Sequence, residues 1–141
     1  RRQPFQEDIT LDGQSVHVLH SRFDSGRLVD LFDGDTFTLA RTAIDNPAFL
    51  EFTFDQQRSM SGITLTTGTL DFLLTVSVWT DENSAPKIYP HSFTGLPPDP
   101  TVSVDFGSAF AVKKLRIEVR DIRAGTDNHI HIREIQFRRS Q

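Results

Sequence analysis

Asp33, Asp35 and Thr38 crowd two carboxylates and a hydroxyl into the short run Asp33-Gly34-Asp35-Thr36-Phe37-Thr38. Oxygen donors held in a tight, glycine-containing loop are what a hard cation such as calcium takes, about six to eight at a time from carboxylates, carbonyls and hydroxyls. The plainer reading is a solvated Asp-Gly turn. A second set, Arg22, Phe23, Arg41, Asn46, Arg123, Asn128 and His129, falls in or beside expected loops. Arg, Asn and His offer the planar hydrogen-bonding groups that, with an aromatic face, hold sugars, although most loop residues bind nothing. Trp79 stands at the solvent-facing parity of its strand next to a turn, as a stacking platform or as a lid over the sandwich edge, and Tyr89 and His91 share one face of the following strand. His129 and His131 point to one side of a strand and invite a zinc reading, but no close Asp or Glu shares their face to complete it.

Catalytic constellations are missing. Ser59, Ser61 and Ser92 lack a nucleophile-elbow context, and Gly68, Gly95 and Gly107 are isolated turn glycines, not a phosphate-cradling loop. The chain has no Cys, which removes disulfides, thiolate metal sites and a Cys nucleophile. The sequence is therefore expected to be non-catalytic.

Positioning these groups falls to strands. Apolar residues recur at every second position, the period that sends alternate side chains to opposite faces: Val16 and Val18; Leu50, Phe52 and Phe54; Ile63 and Leu65; Leu74, Val76 and Val78; Val102, Val104 and Phe106; Leu115, Ile117 and Val119. A further strand covers Lys87 to Phe93. Near the end, Ile130 and Ile132 share a face with Ile135 and Phe137 only if one residue is inserted, so the pattern predicts a bulge at Arg133-Glu134. Turn signals separate the runs, among them Asp81-Glu82-Asn83-Ser84 and the proline-rich Thr94-Gly95-Leu96-Pro97-Pro98-Asp99-Pro100. No helical period of useful length occurs. About eight short strands with one apolar face predict an all-β, antiparallel two-layer sandwich or jelly roll. The 141 residues suit a single domain over 1–141.

The segments Asp30-Leu31-Phe32-Asp33-Gly34-Asp35-Thr36-Phe37-Thr38 and Asn46-Pro47-Ala48-Phe49-Leu50-Glu51-Phe52-Thr53-Phe54 resemble the discoidin, or coagulation-factor C-type, domains and the family 32 carbohydrate-binding modules. Lys114-Leu115-Arg116-Ile117-Glu118-Val119 and Ile132-Arg133-Glu134-Ile135-Gln136-Phe137 are similar to the last two strands of that family, and the likeness spans most of residues 14 to 138. Ala40 departs from it, since the family often carries Trp there. The resemblance implies a galactose-binding-like jelly roll. It also implies that Glu134, on the terminal strand, reaches the loop of Asp33, Asp35 and Thr38 around a structural calcium, where the bland alternative is a salt-bridged surface carboxylate. It further implies a glycan or polysaccharide ligand at loops on one end of the sandwich, with Arg22, Arg41, Trp79, Arg123, Asn128 and His129 as its candidates. The resemblance also implies attachment to a larger extracytoplasmic protein, secreted, periplasmic or cell-surface, such as a glycosidase or membrane glycosyltransferase. The competing expectation is a structural or protein-interaction domain without glycan affinity, because aromatic platforms are few.

Composition bounds the partners. A net charge of −4 and a pI near 5.7 give no positive field for phosphates, so nucleic acid is not expected. Twelve Phe against one Trp and one Tyr put most aromatic surface into side chains without a polar tip, which usually fill cores. No run approaches the length of a membrane span, and Arg1-Arg2-Gln3-Pro4 is not a signal peptide. Phe23 between Arg22 and Arg27 is the sole hint of lipid contact, and no membrane insertion is expected. The chain reads as a segment of a larger protein.

Overall fold

The computed structural model describes residues 3–43, 45–123 and 129–139. The alternating runs become nine strands: β1 (Phe5–Leu11), β2 (Gln14–His20), β3 (Phe23–Ser25), β4 (Ala40–Thr42), β5 (Ala48–Thr67), β6 (Phe72–Trp79), β7 (Lys87–Phe93), β8 (Thr101–Asp121) and β9 (His131–Arg138). Every pairing is antiparallel. Among the described residues the only helical piece is a 3-10 turn, Leu28–Phe32.

Two pairs of runs that alternation separates are continuous strands. Leu50–Phe54 and Ile63–Leu65 both belong to β5, and Val102–Phe106 and Leu115–Val119 both belong to β8. The pattern breaks between them because the chain bends there, and the β5–β8 register shifts between Thr53 and Arg58 and again between Met60 and Gly62. Gly62 is what the bend requires: a Cβ there would lie 2.3 Å from the Val104 carbonyl oxygen. β1 escapes the period-two reading because its sequence FQEDITL carries two acids and buries only Ile9.

The bends fold one hydrogen-bonded sheet into two layers. In the first, the order is β1-β2-β5-β8-β6-β7, using the first half of β5 and the second half of β8. In the second it is β8-β5-β9-β4-β3, using the remaining halves. This is an antiparallel two-layer sandwich of jelly-roll type. Phe52 pairs with Val18 and Leu115 in one layer, and Phe137 pairs with Ile63 in the other. Their rings meet edge to face at 5.2 Å, and Phe54 reaches Phe137 at 5.7 Å, so aromatic contacts close the space between layers. Phe32, from the 3-10 turn, packs on both Phe52 and Phe137 and seals the cluster.

The expected bulge is present in β9. Thr66 pairs with Glu134, the next pair is Thr67 with Ile132, and Arg133 is passed over. Glu134 and Ile135 are consequently both buried while Arg133 stays accessible. The sandwich has two ends: Phe5, His20, Ala48, Phe72, Phe93 and Asp121 lie at one, Leu11, Phe54, Trp79, Lys87 and Lys114 at the other.

Phe52 is fully buried at the layer contact, so Phe52→Ala should cost about 3–5 kcal/mol in urea unfolding. Ile88→Ser, at an exposed edge-strand position, should change stability by no more than about 0.5 kcal/mol. Equal effects of the two substitutions would contradict the assigned layers.

Candidate functional site

The acidic loop is built around Gly34, whose φ of +75° is the left-handed conformation that glycine adopts without strain. Asp33 Oδ1 accepts from the Asp35 amide at 2.9 Å, and Asp35 Oδ1 accepts from the Phe37 amide at 2.9 Å. Thr38 Oγ1 faces three acceptors, Asp33 Oδ2 at 2.7 Å, the Asp35 carbonyl at 2.8 Å and the Asp30 carbonyl at 3.2 Å. A hydroxyl has one proton, so it satisfies one of them and presents lone pairs to the rest. Glu134 arrives from β9: its Oε2 accepts from the Gly34 amide at 3.1 Å, and its Oε1 is buried without a hydrogen-bond partner.

The electrostatics match that crowding. Hydrogen bonds from the Thr38 hydroxyl and the Asp35 amide hold Asp33 below the usual carboxylate range. Burial pushes Glu134 up, the charges of Asp33 and Asp35 add to the rise, and the Gly34 amide opposes it. Two carboxylates, a hydroxyl and main-chain carbonyls thus converge on one spot. The donor set is all oxygen, which fits calcium. Among the described residues no three His, Cys, Asp or Glu side chains gather into a group that could hold a metal ion, so a cation at this loop would depend on the Thr38 hydroxyl and main-chain oxygens besides Asp33 and Glu134.

A second cluster lies on the outer face of β4 and β9, at the Phe72 end. Arg41 and His131 are cross-strand partners. Arg41 Nε donates to Asp24 Oδ1 at 2.8 Å, and His129 Nδ1 lies 2.7 Å from the Thr42 carbonyl oxygen and 3.6 Å from Asp24 Oδ2. Arg133, released by the bulge, donates from Nε to Asp99 at 3.0 Å and from Nη1 to the Thr36 carbonyl at 2.9 Å. The second bond ties this cluster to the acidic loop, where Phe37, next to Thr36, is 91% exposed. Gly26 lets β3 fold down with Asp24: its φ is +78°, and a Cβ would stand 2.0 Å from the Leu39 carbonyl oxygen. Partial burial pushes the His131 imidazole below its ordinary value, and the positive neighbours Arg41, His129 and Arg133 push it further, against Asp24.

Of the residues singled out from sequence, Arg41 and His129 are brought together on Asp24. Arg22 lies apart from them, its guanidinium 5.2 Å from the Phe5 ring, in a cavity of about 380 Å³ lined also by His20, Phe23 and Leu28. Arg123 pairs with Asp71 at 2.7 Å. Asn128 is outside the described residues. Trp79 sits at the opposite end, with the Lys114 ammonium 4.5 Å from its ring, and does not join the others. Tyr89 turns inward onto Phe106 at 5.0 Å, and Asn46 is buried, bonded twice to the Asp121 backbone. Asp24, from β3, a strand too short to show in the pattern, comes within 3.6 Å of His129, and among the described residues no group of three His, Cys, Asp or Glu that could hold a metal forms there. Phe37, Asp24 and Arg133 were not singled out as ligand-side residues. The usable signal was a Phe inside a polar Asp-Gly-Asp loop, where no core is available to it.

Similarity to solved structures places the fold. The family 32 carbohydrate-binding module of AlyQ, in complex with 4,5-unsaturated mannuronic acid, superposes with a TM-score of 0.69 at 18% identity, over 96% of this chain and 99% of that one. An F5/8 type C domain from Bacteroides fragilis gives 0.68 at 15% identity, over 96% and 97%. A GH29 fucosidase from Ruminococcus gnavus, in complex with fucose, gives 0.72 at 11% identity over 89% of this chain, which spans 25% of that enzyme's length. No family model matches the sequence, and no curated protein matches it. At these identities the shared property is the discoidin-like, galactose-binding-like sandwich.

In metal-free buffer, Glu134→Gln should raise the melting temperature at neutral pH. Glu134 has a raised pKa in the folded state, so its ionised form disfavours folding above that pKa, and the penalty disappears as pH falls through it. The gain should shrink accordingly in melts run at successively lower pH; a gain independent of pH would contradict the assignment.

Proposed function

We propose that this chain is a non-catalytic carbohydrate-binding module, with its glycan site at the Phe72 end on Arg41, His129, His131, Arg133 and Phe37. The observation that carries the reading is the Arg133–Thr36 bond, which ties the loop bearing an exposed aromatic side chain to a cluster of planar hydrogen-bonding groups. Sugars need both an apolar face to stack on and donors for their hydroxyls, and a ring left 91% exposed gains nothing from the core. Neighbours of the same fold support the reading, among them a pectin-binding module and a Streptococcus pneumoniae fucose-binding module. Holding a partner domain near a polysaccharide outside the cytoplasm is the role this suits, since tethering raises effective concentration without new contacts.

We also propose a structural calcium held by Asp33, Thr38, Glu134 and the carbonyls of Asp30 and Asp35, with Asp35 bracing the loop through the Phe37 amide. The ion would relieve the orphaned Glu134 oxygen and pin the terminal strand to the loop that presents Phe37.

Two measurements test these readings. A glycan array should show saturable binding that Arg41→Ala or Phe37→Ala abolishes and that Trp79→Ala leaves intact, each variant being checked by circular dichroism. Silence across all glycans would instead favour a structural or protein-interaction role. Calcium at a hundredfold excess over its dissociation constant should stabilise the fold by about 2.7 kcal/mol. Glu134→Gln should remove that gain, reversing its benefit in metal-free buffer; calcium-independent melting would sink the ion site.

A further inference from the structure

The charges around His131 carry the sugar reading a step further, to the class of sugar. Arg41 spends only Nε on Asp24, and among the described residues its two terminal amino groups make no hydrogen bond. Nor does the His131 ring make one there, although the residue is half-buried between Arg41 on β4 and the loop at Gly68, whose amide donates to the His131 carbonyl at 2.9 Å. The charged and titratable groups facing that ring are Arg41 from β4, Arg133 from its own strand, His129 from two residues before that strand, and Asp24 from β3. Arg41 and Arg133 are cationic, and Asp24 is acidic. Asp99, the remaining acid, is engaged with the Nε edge of Arg133.

We propose that this cluster takes an anionic pyranose, its carboxylate or sulfate seated between Arg41, His131 and Arg133 and its ring face turned to Phe37. The inference rests on the carbohydrate-binding reading above. Planar guanidinium forks match the geometry of both anions, and such charge-assisted bonds are roughly twice as strong as neutral ones. A generic attraction does not account for it, because the chain carries a net −4 and repels polyanions at long range. Selectivity for an anionic sugar must therefore come from local contacts. The anion would supply the negative charge that Asp24 alone does not: burial first, and then the positive neighbours, hold the imidazole neutral to lower pH in the free protein, and a bound anion shifts it the other way. Binding then takes up a proton and tightens as pH falls through the range in which His131 titrates.

The test is calorimetric titration of the intact chain, with calcium present, against three probes: an oligogalacturonate, a sulfated galactan oligosaccharide and a neutral galacto-oligosaccharide. One anionic probe should bind about tenfold or more tightly than the neutral one, weaken with added salt, and take up a proton as read in two buffers of different ionisation enthalpy. Which probe wins identifies carboxylate or sulfate as the recognised group. His131→Gln should flatten the pH dependence, and Arg41→Gln should erase the preference for the charged probe. If the neutral sugar binds equally well without proton uptake, the anionic inference is overturned and the carbohydrate-binding reading stands. If none of the three binds and a wider neutral panel is also silent, both fall.

Discussion

Everything in this sandwich depends on β5 and β8 staying paired through two bends. Because the same two strands run through both layers, the layers cannot slide past each other, and Phe52 and Phe137 are held at the one register where their rings meet. Antiparallel pairing shifted by a single residue would turn each buried face out to solvent, and the fully buried Val18, Phe52, Ile63 and Leu115 show how much would be lost. The bend is tolerated because Gly62 lets the backbone of β8 come close, and because the exposed Asp55-Gln56-Gln57 run needs no core.

A single inserted residue couples that frame to its chemistry. The bulge at Arg133 turns Glu134 inward to the Gly34 amide and leaves Arg133 outside, where it holds the Thr36 carbonyl. The two bonds hold one loop on either side of Asp35, so the approach of Glu134 to the acidic loop and the presentation of Phe37 are consequences of the same backbone irregularity. Such bulges commonly aim a side chain where regular pairing would not.

Much of this was legible in the sequence. Strict alternation locates the central strands, and the parity break after Ile132 locates the bulge. The mutual reach of Asp33 and Glu134 followed from the resemblance to discoidin-like domains, and the Gly34–Glu134 bond bears out the proximity. Other features were hidden for physical reasons. β3 and β4, three residues each, are too short to imprint a period, which concealed Asp24 beside His129. Phe37 looked like one more core phenylalanine because type alone does not report exposure, and Trp79 stayed open between a platform and a lid because parity does not report which end of the sandwich a residue occupies.

The most direct measurement is a crystal structure grown with calcium and an oligosaccharide. It should show an ion about 2.3–2.6 Å from Thr38 Oγ1 and a Glu134 oxygen, with the sugar resting on Phe37 within hydrogen-bond reach of Arg41. A saccharide ordered at the Trp79 end, over an acidic loop holding only water, would contradict both sites at once.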